Sequence, residues 1–401
     1  MSNLNSIARA EPRQPLWTPS LLRILCADVV IFSSAQLLRP VISLYVADIG
    51  ANKTMVGIVA SAFVFTGVLF RPLSGLAMDN FGRKTMLISG IGLFALVGAV
   101  LPLGLAIPTL IGVRVLQGFA WSAVPPANDT IVSELIPMSR RGEGLGYAST
   151  TRNVGVALGP AMGLYLAEAV GFWASFGFST ILAFAALGVA FMVHSPHVPP
   201  VEGSAWSLHR LVEPRALAPA FVSALMNVVV SGMITFVPLD AKERNIGSAI
   251  VFFVAISAML MIIRPVMGGL SDRLPRRGAL LIPGLICVAL APLILAFTEA
   301  VWTLPLAAVF WAVGFGTAQP AIRAMILDRV PRNRWGSANA TSLVLYDLGH
   351  AAGPFVLGFV AARFSLAATF GFSALSPLIA IVLIFFTGLH REEPPRHGGD
   401  Y

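Results

Sequence analysis

Apolar residues recur along this chain in runs of roughly twenty or more, separated by short breaks rich in charge, proline or glycine. A helix needs about 20 mostly apolar residues to cross the hydrocarbon core of a bilayer. Twelve runs meet that length, at 21–46, 54–78, 85–106, 109–133, 145–167, 171–193, 216–239, 247–271, 278–298, 301–327, 337–362 and 367–389. Open strands leave backbone groups unpaired in hydrocarbon, and the ten-residue alternation of a membrane barrel is missing. The pattern therefore predicts an all-α membrane protein with twelve transmembrane helices.

Composition agrees. Charged residues make up 11% of the chain and hydrophobic ones 56%, with a mean hydropathy of +0.81, against about 25% charged in soluble domains. This excludes a soluble globule and makes the lipid bilayer the first partner. The formal net charge of +8 is spread singly between apolar runs, so nucleic acid is not an expected partner. Cys26 and Cys287 lie inside apolar runs, where they pack as small hydrophobes. Neither a metal nor a cofactor is expected. Residues 1–20 contain no short apolar stretch with a cleavage site, so the first run is read as a span.

Basic residues set the orientation. With the N-terminus in the cytoplasm, seventeen Lys and Arg fall on the inside and four (Lys53, Lys242, Arg244 and Arg363) on the outside. An even number of spans returns the C-terminus to the same side. The expectation is a multi-pass protein of a bacterial inner or cell membrane with both termini cytoplasmic. Its parts are a tail at 1–20, six spans at 21–193, a proline-rich linker at 194–215, six spans at 216–389 and a tail at 390–401.

The halves repeat. Arg71, Pro72, Gly75 and Asp79 recur at the same spacing as Arg264, Pro265, Gly268 and Asp272, and Gly155-x-x-x-Gly159-Pro160 recurs as Gly349-x-x-x-Gly353-Pro354. Such a duplication predicts two pseudo-symmetric six-helix bundles with a substrate site between them near the midplane.

These motifs resemble those of the major facilitator superfamily between residues 20 and 390. Gly75-Leu-Ala-Met-Asp79-Asn-Phe-Gly82-Arg83-Lys84 is similar to its loop signature between spans 2 and 3, with Asn80 where a basic residue is usual. The second copy has Pro275 at the position of Gly82. Leu110-x-x-x-Arg114-x-x-Gln117-Gly118 resembles a motif tied to proton coupling, and Gly155-x-x-x-Gly159-Pro160-x-x-Gly163 resembles the antiporter motif, with Leu164 in place of its last glycine. The resemblance is to the twelve-span drug/proton antiporters. It implies that spans 1, 4, 7 and 10 line a cavity and that spans 2, 5, 8 and 11 flank it.

Buried ionisable groups carry the chemistry, because a charge at mid-membrane costs about 2.5–3.5 kcal/mol on insertion scales. Asp28, Arg114, Asp347 and His350 are the proton-coupling candidates, with Tyr346 beside His350 completing a polar cluster on span 11. Helical phase turns Asp28 and Arg39 the same way on span 1 and aligns Arg114, Gln117, Trp121 and Asn128 on span 4. Gln36, Asp129, Arg152, Asn227, Gln319 and Arg323 complete the candidate cavity set. Static pairing between helices is the competing account of each charge. Arg71, Gly75, Asp79, Gly82, Arg83, Glu134 and Arg141, with Arg264 and Asp272, form a candidate gate at the cytoplasmic ends. Gly155, Gly159, Pro160 and Gly163, with Gly353 and Pro354, are read as helix-packing positions.

The function expected from these readings is secondary active transport of a small molecule, export coupled to protons by alternating access, in a monomer. Proton-coupled or facilitated uptake of an organic anion, and export of a zwitterionic metabolite or lysolipid, are the alternatives, because in-span arginines outnumber in-span aspartates. An enzyme or receptor is disfavoured by the lack of nucleophile, metal-pair and phosphate-loop motifs and of any large segment outside the membrane.

Overall fold

The computed structural model describes residues 15–137, 140–194, 213–273, 278–297, 300–331 and 334–389. Most of the expected linker and both terminal tails therefore lie outside the described residues. Twelve long helices occur among those described: α1 (Pro19–Asp48), α2 (Lys53–Phe81), α3 (Arg83–Gly98), α4 (Ile107–Leu135), α5 (Arg141–Ala169), α6 (Phe172–Phe191), α7 (Pro214–Arg244), α8 (Ile250–Arg273), α9 (Gly278–Phe297), α10 (Thr303–Asp328), α11 (Trp335–Arg363) and α12 (Leu366–Thr387).

Ten of the twelve are long and apolar enough to cross a membrane by composition alone. The other two are α5 and α8. Helix α5 opens with Arg141 and Glu143 and carries Ser149, Thr150, Thr151, Arg152 and Asn153 through its middle. Polar caps fix several helix starts: Asn52 Oδ1 accepts the Met55 amide at 2.9 Å and Ser365 Oγ accepts the Ala368 amide at 3.0 Å. At Gly82, φ is 84°, a left-handed conformation that L side chains resist, and there α2 ends and α3 begins. That explains the second glycine of the loop signature.

Packing reproduces the sequence repeat. In the first half α1 packs on α5 and α6, α4 packs on α2 and α3, and α3 on α6; in the second half α7 packs on α11 and α12, α10 on α8 and α9, and α9 on α12. Each of these pairs has its counterpart six helices later. The architecture is two pseudo-symmetric six-helix bundles. They meet chiefly where α2 lies against α11, with further contacts of α5 with α8 and α1 with α7.

Gly155, Gly159 and Gly163 turn one face of α5 onto α1, where a Cβ at Gly159 would lie 2.8 Å from the Ser33 carbonyl oxygen. Gly349 and Gly353 face α7 in the same way, against the carbonyls of Ala224 and Val228. Removing side-chain bulk lets the backbones close, and dispersion then replaces the solvent-driven term that lipid does not supply.

Candidate functional site

Among the described residues, three groups of charged side chains bear on the candidate site. The first is a narrow cleft between the halves, lined from the first half by Arg39, Ile42, Ala60, Val64 and Arg114 and from the second by Ser231, Ile234, Thr235, His350 and Pro354. Arg39 Nη1 lies 2.5 Å from His350 Nε2, a contact between the halves. Because a guanidinium only donates, this nitrogen of His350 accepts, which places the ring proton on Nδ1. Arg114 donates to Gln117 Oε1 at 3.0 Å, and its guanidinium stands 4.3 Å above the Phe63 ring. Tyr346 stacks on His350 with ring centroids 6.1 Å apart.

The second group crosses the same interface. Arg71 of α2 forms an ion pair with Asp347 of α11, each side chain less than one-fifth exposed. Sequence reading grouped Arg71 with the cytoplasmic gate and Asp347 with Tyr346 and His350; instead the two join each other across the halves. The reason is depth. At 1.5 Å per residue, Arg71 lies about 27 Å and Asp347 about 24 Å from the ends of their helices that adjoin the 49–52 turn. Similar depth on touching helices lets them meet.

The third group lies within the first half. Asp28, fully buried, accepts from Asn128 Nδ2 at 2.8 Å and faces Arg152 Nε at 3.5 Å. Arg152 Nη2 also bonds the Asp129 carboxylate at 2.5 Å, and the guanidinium lies over Phe32 at 4.6 Å. Asp28 and Arg39, given one direction by helical phase, thus serve different places: one looks into the first bundle and the other to the second half. Three turns along α1 separate them, and the neighbours differ at each level.

The remaining candidates scatter. Trp121 sits among Phe32, Phe63 and Phe94, inside the first half. Gln36 lies at the α1–α5 contact, its Cβ against Gly159. Asn227 donates to the Ser223 carbonyl at 2.8 Å, and Ser223 Oγ lies 3.4 Å from Gln319 Oε1, which links α7 to α10. Arg323 is exposed. Of the expected gate, Arg83 and Glu134 form an ion pair at 2.7 Å between the start of α3 and the end of α4. The side chains of Asp79, Arg141, Arg264 and Asp272 lie outside those described.

The opposite end of the bundle, by the 49–52 turn, carries contacts between the halves that sequence reading missed. Lys53 pairs with Glu243 and Lys242 with Asp48, both at 2.9 Å, and Ser248 Oγ donates to Glu168 at 2.8 Å. Charges at span ends read as orientation signals; Asp48 and Lys242 stand one repeat step of 194 residues apart, the spacing that could have linked them, whereas Lys53 and Glu243, 190 apart, carry no such signal. Ser61 Oγ donates to the Ala351 carbonyl and Ser257 Oγ to the Ala157 carbonyl, both at 2.8 Å, so the seam continues inward. The buried Glu213 with Arg334, 2.8 Å, was also missed; Asp240 with Arg244, 2.7 Å, carried a readable signal in its i, i+4 spacing.

Twelve helices in paired halves, with a charged cleft and an ion pair between them, define a helical membrane transporter. The family model of the Major Facilitator Superfamily matches residues 24–282 and 261–400, and the chain belongs to that superfamily. Among its relatives, Multidrug resistance protein MdtG of Dickeya zeae (strain Ech586) is 28% identical over 87% of this chain and 88% of its own length. Quinolone resistance protein NorA of Staphylococcus aureus (strain MSSA476) is 22% identical over 82% of this chain and 86% of its own. Two solved structures share the fold. A POT family transporter superposes with a TM-score of 0.80 at 12% identity, covering 93% of this chain and 96% of its own. The nucleoside transporter NupG superposes with a TM-score of 0.75 at 13% identity, covering 92% and 99%.

Proposed function

We propose that this chain is a proton-coupled exporter of small organic molecules, working by alternating access from a bacterial cytoplasmic membrane with both termini inside. The observation that carries the reading is the Arg71–Asp347 ion pair, which ties a titratable carboxylate to the interface of the two halves. Adding a proton to Asp347 removes its charge and releases Arg71. Proton occupancy and the pairing of α2 with α11 are therefore thermodynamically linked, and the linkage runs both ways. The contacts by the 49–52 turn would close the extracellular side, leaving Asp129, whose side chain is 58% exposed, towards the cytoplasmic side. Two of the relatives are named for drug resistance, which supports export over uptake.

Within this reading Asp347 is the first proton carrier and Asp28 the second candidate. Arg114 biases the charge balance of the cleft, in keeping with its motif. The test is flux in proteoliposomes under an imposed pH gradient, comparing the parent with Asp347→Asn, Asp28→Asn and Arg114→Ala. Asp347→Asn is expected to lower gradient-driven flux by about tenfold or more while leaving downhill exchange measurable. If all three variants keep gradient-driven flux, the coupling assignment is wrong.

A further inference from the structure

Resting on that transport reading, we infer that the Arg39–Arg114 cleft binds the oxyanion head of the substrate, a carboxylate or phosphonate on a compact organic anion. The charges within the helices are unequally matched. Arg71 has Asp347, and Arg152 has both Asp28 and Asp129. Arg39 and Arg114 instead hold neutral partners: the acceptor nitrogen of His350 and the side-chain oxygen of Gln117. Asp347, three residues before His350 on α11, is already engaged by Arg71. Two guanidinium groups thus border one small hollow without a counter-ion of their own among the described residues. Like charges in such a setting repel, and a buried charge left unpaired costs several kcal/mol.

The buried polar atoms that lack partners around these arginines are donors. They are Arg114 Nε, Gln117 Nε2 and His350 Nδ1, the last carrying the proton in the tautomer fixed by Arg39. Arg114 and His350 are 3% and 6% exposed. A cation entering here would meet repulsion and few acceptors. An oxyanion would meet two positive forks, which suit its planar geometry. Ile42, Val64, Ile234 and Pro354 supply apolar wall for a compact body.

The test uses the purified full chain in nanodiscs, titrated by calorimetry with benzoate, phenylphosphonate, the neutral isostere benzamide and the cation tetraphenylphosphonium. Benzoate and phenylphosphonate are expected to bind and to compete with each other, and benzamide and tetraphenylphosphonium are expected not to displace them. Arg39→Gln and Arg114→Gln should each weaken benzoate by about tenfold or more, since a hydrogen bond to a charged group is at stake. Arg114→Lys should recover part of the loss. If the glutamine variants do not fold, the contrast of benzoate with benzamide on the parent protein decides. Equal binding of benzamide, binding of tetraphenylphosphonium in place of benzoate, or no binding of any probe overturns the inference. Gradient-driven export of tetraphenylphosphonium without anion binding would remove this inference and leave the exporter reading standing. Anion binding that depends on Arg114, with flux indifferent to the pH gradient, would do the reverse.

Discussion

Arg152 holds two carboxylates at once, and one of them, Asp28, has no contact with water. Truncating the arginine leaves Asp28 with Asn128 as its remaining polar partner, an uncompensated charge inside the first bundle. Breaking such a pair from one side is costly, whereas neutralising the acid removes the problem with the partner. Arg152→Ala is therefore expected to lower stability by about 2–3 kcal/mol, discounted for the exposure of Asp129. Asp28→Asn should cost less than half of that. Thermal melting of the two purified variants measures the difference, and equal losses would contradict it. The sequence identified all three residues as charges within spans. Their partnership was hidden because helical phase orders the faces of one helix and says nothing about the rotation of its neighbour.

Among the helices, the seam of α2 with α11 is the tightest contact between the halves. A Cβ at Gly57 would collide with the Pro354 carbonyl oxygen and lie 3.1 Å from Gly358 Cα. Gly57→Ala should force the two helices apart in this state and favour arrangements with the 49–52 end parted. A cysteine placed at Ile42, in the cleft wall, reports on this. Its reaction with a membrane-impermeant maleimide is expected to speed up by about threefold or more in Gly57→Ala, a shift of at least about 0.6 kcal/mol. Gly112→Ala, which meets nothing within 4 Å, should leave the rate unchanged. An unchanged rate in Gly57→Ala would show that the seam does not control access. The motif glycines of α5 and α11 were legible from their four-residue spacing. Gly57 was not, because a lone glycine carries no periodic signal.

For the whole molecule, hydropathy and the internal repeat were enough to predict twelve helices in two bundles. Both signals are local or self-referential, and a bilayer leaves few other solutions. The matched neighbour pairs of the two halves follow from the repeat. What the repeat does not encode is how the halves meet. Arg71 with Asp347 and Lys53 with Glu243, 276 and 190 residues apart, follow no repeat step, whereas Lys242 with Asp48, 194 apart, joins positions that the repeat makes equivalent. Those contacts are where coupling would reside, so the fold was more legible than the site.

The central claim is that the charge of Asp347 controls the parting of the halves. It is tested by spin-label distances across the end by the 49–52 turn. Labels at Leu103→Cys in the first half and Val301→Cys in the second, both exposed, are introduced with Cys26 and Cys287 replaced by serine. In nanodiscs, lowering the pH from about 8 to about 4, the ordinary range of an aspartate, should add a population longer by roughly 5 Å or more. Asp347→Asn should show one distribution at both pH values. A parent protein with no pH response, or a variant that responds as the parent does, would contradict the account.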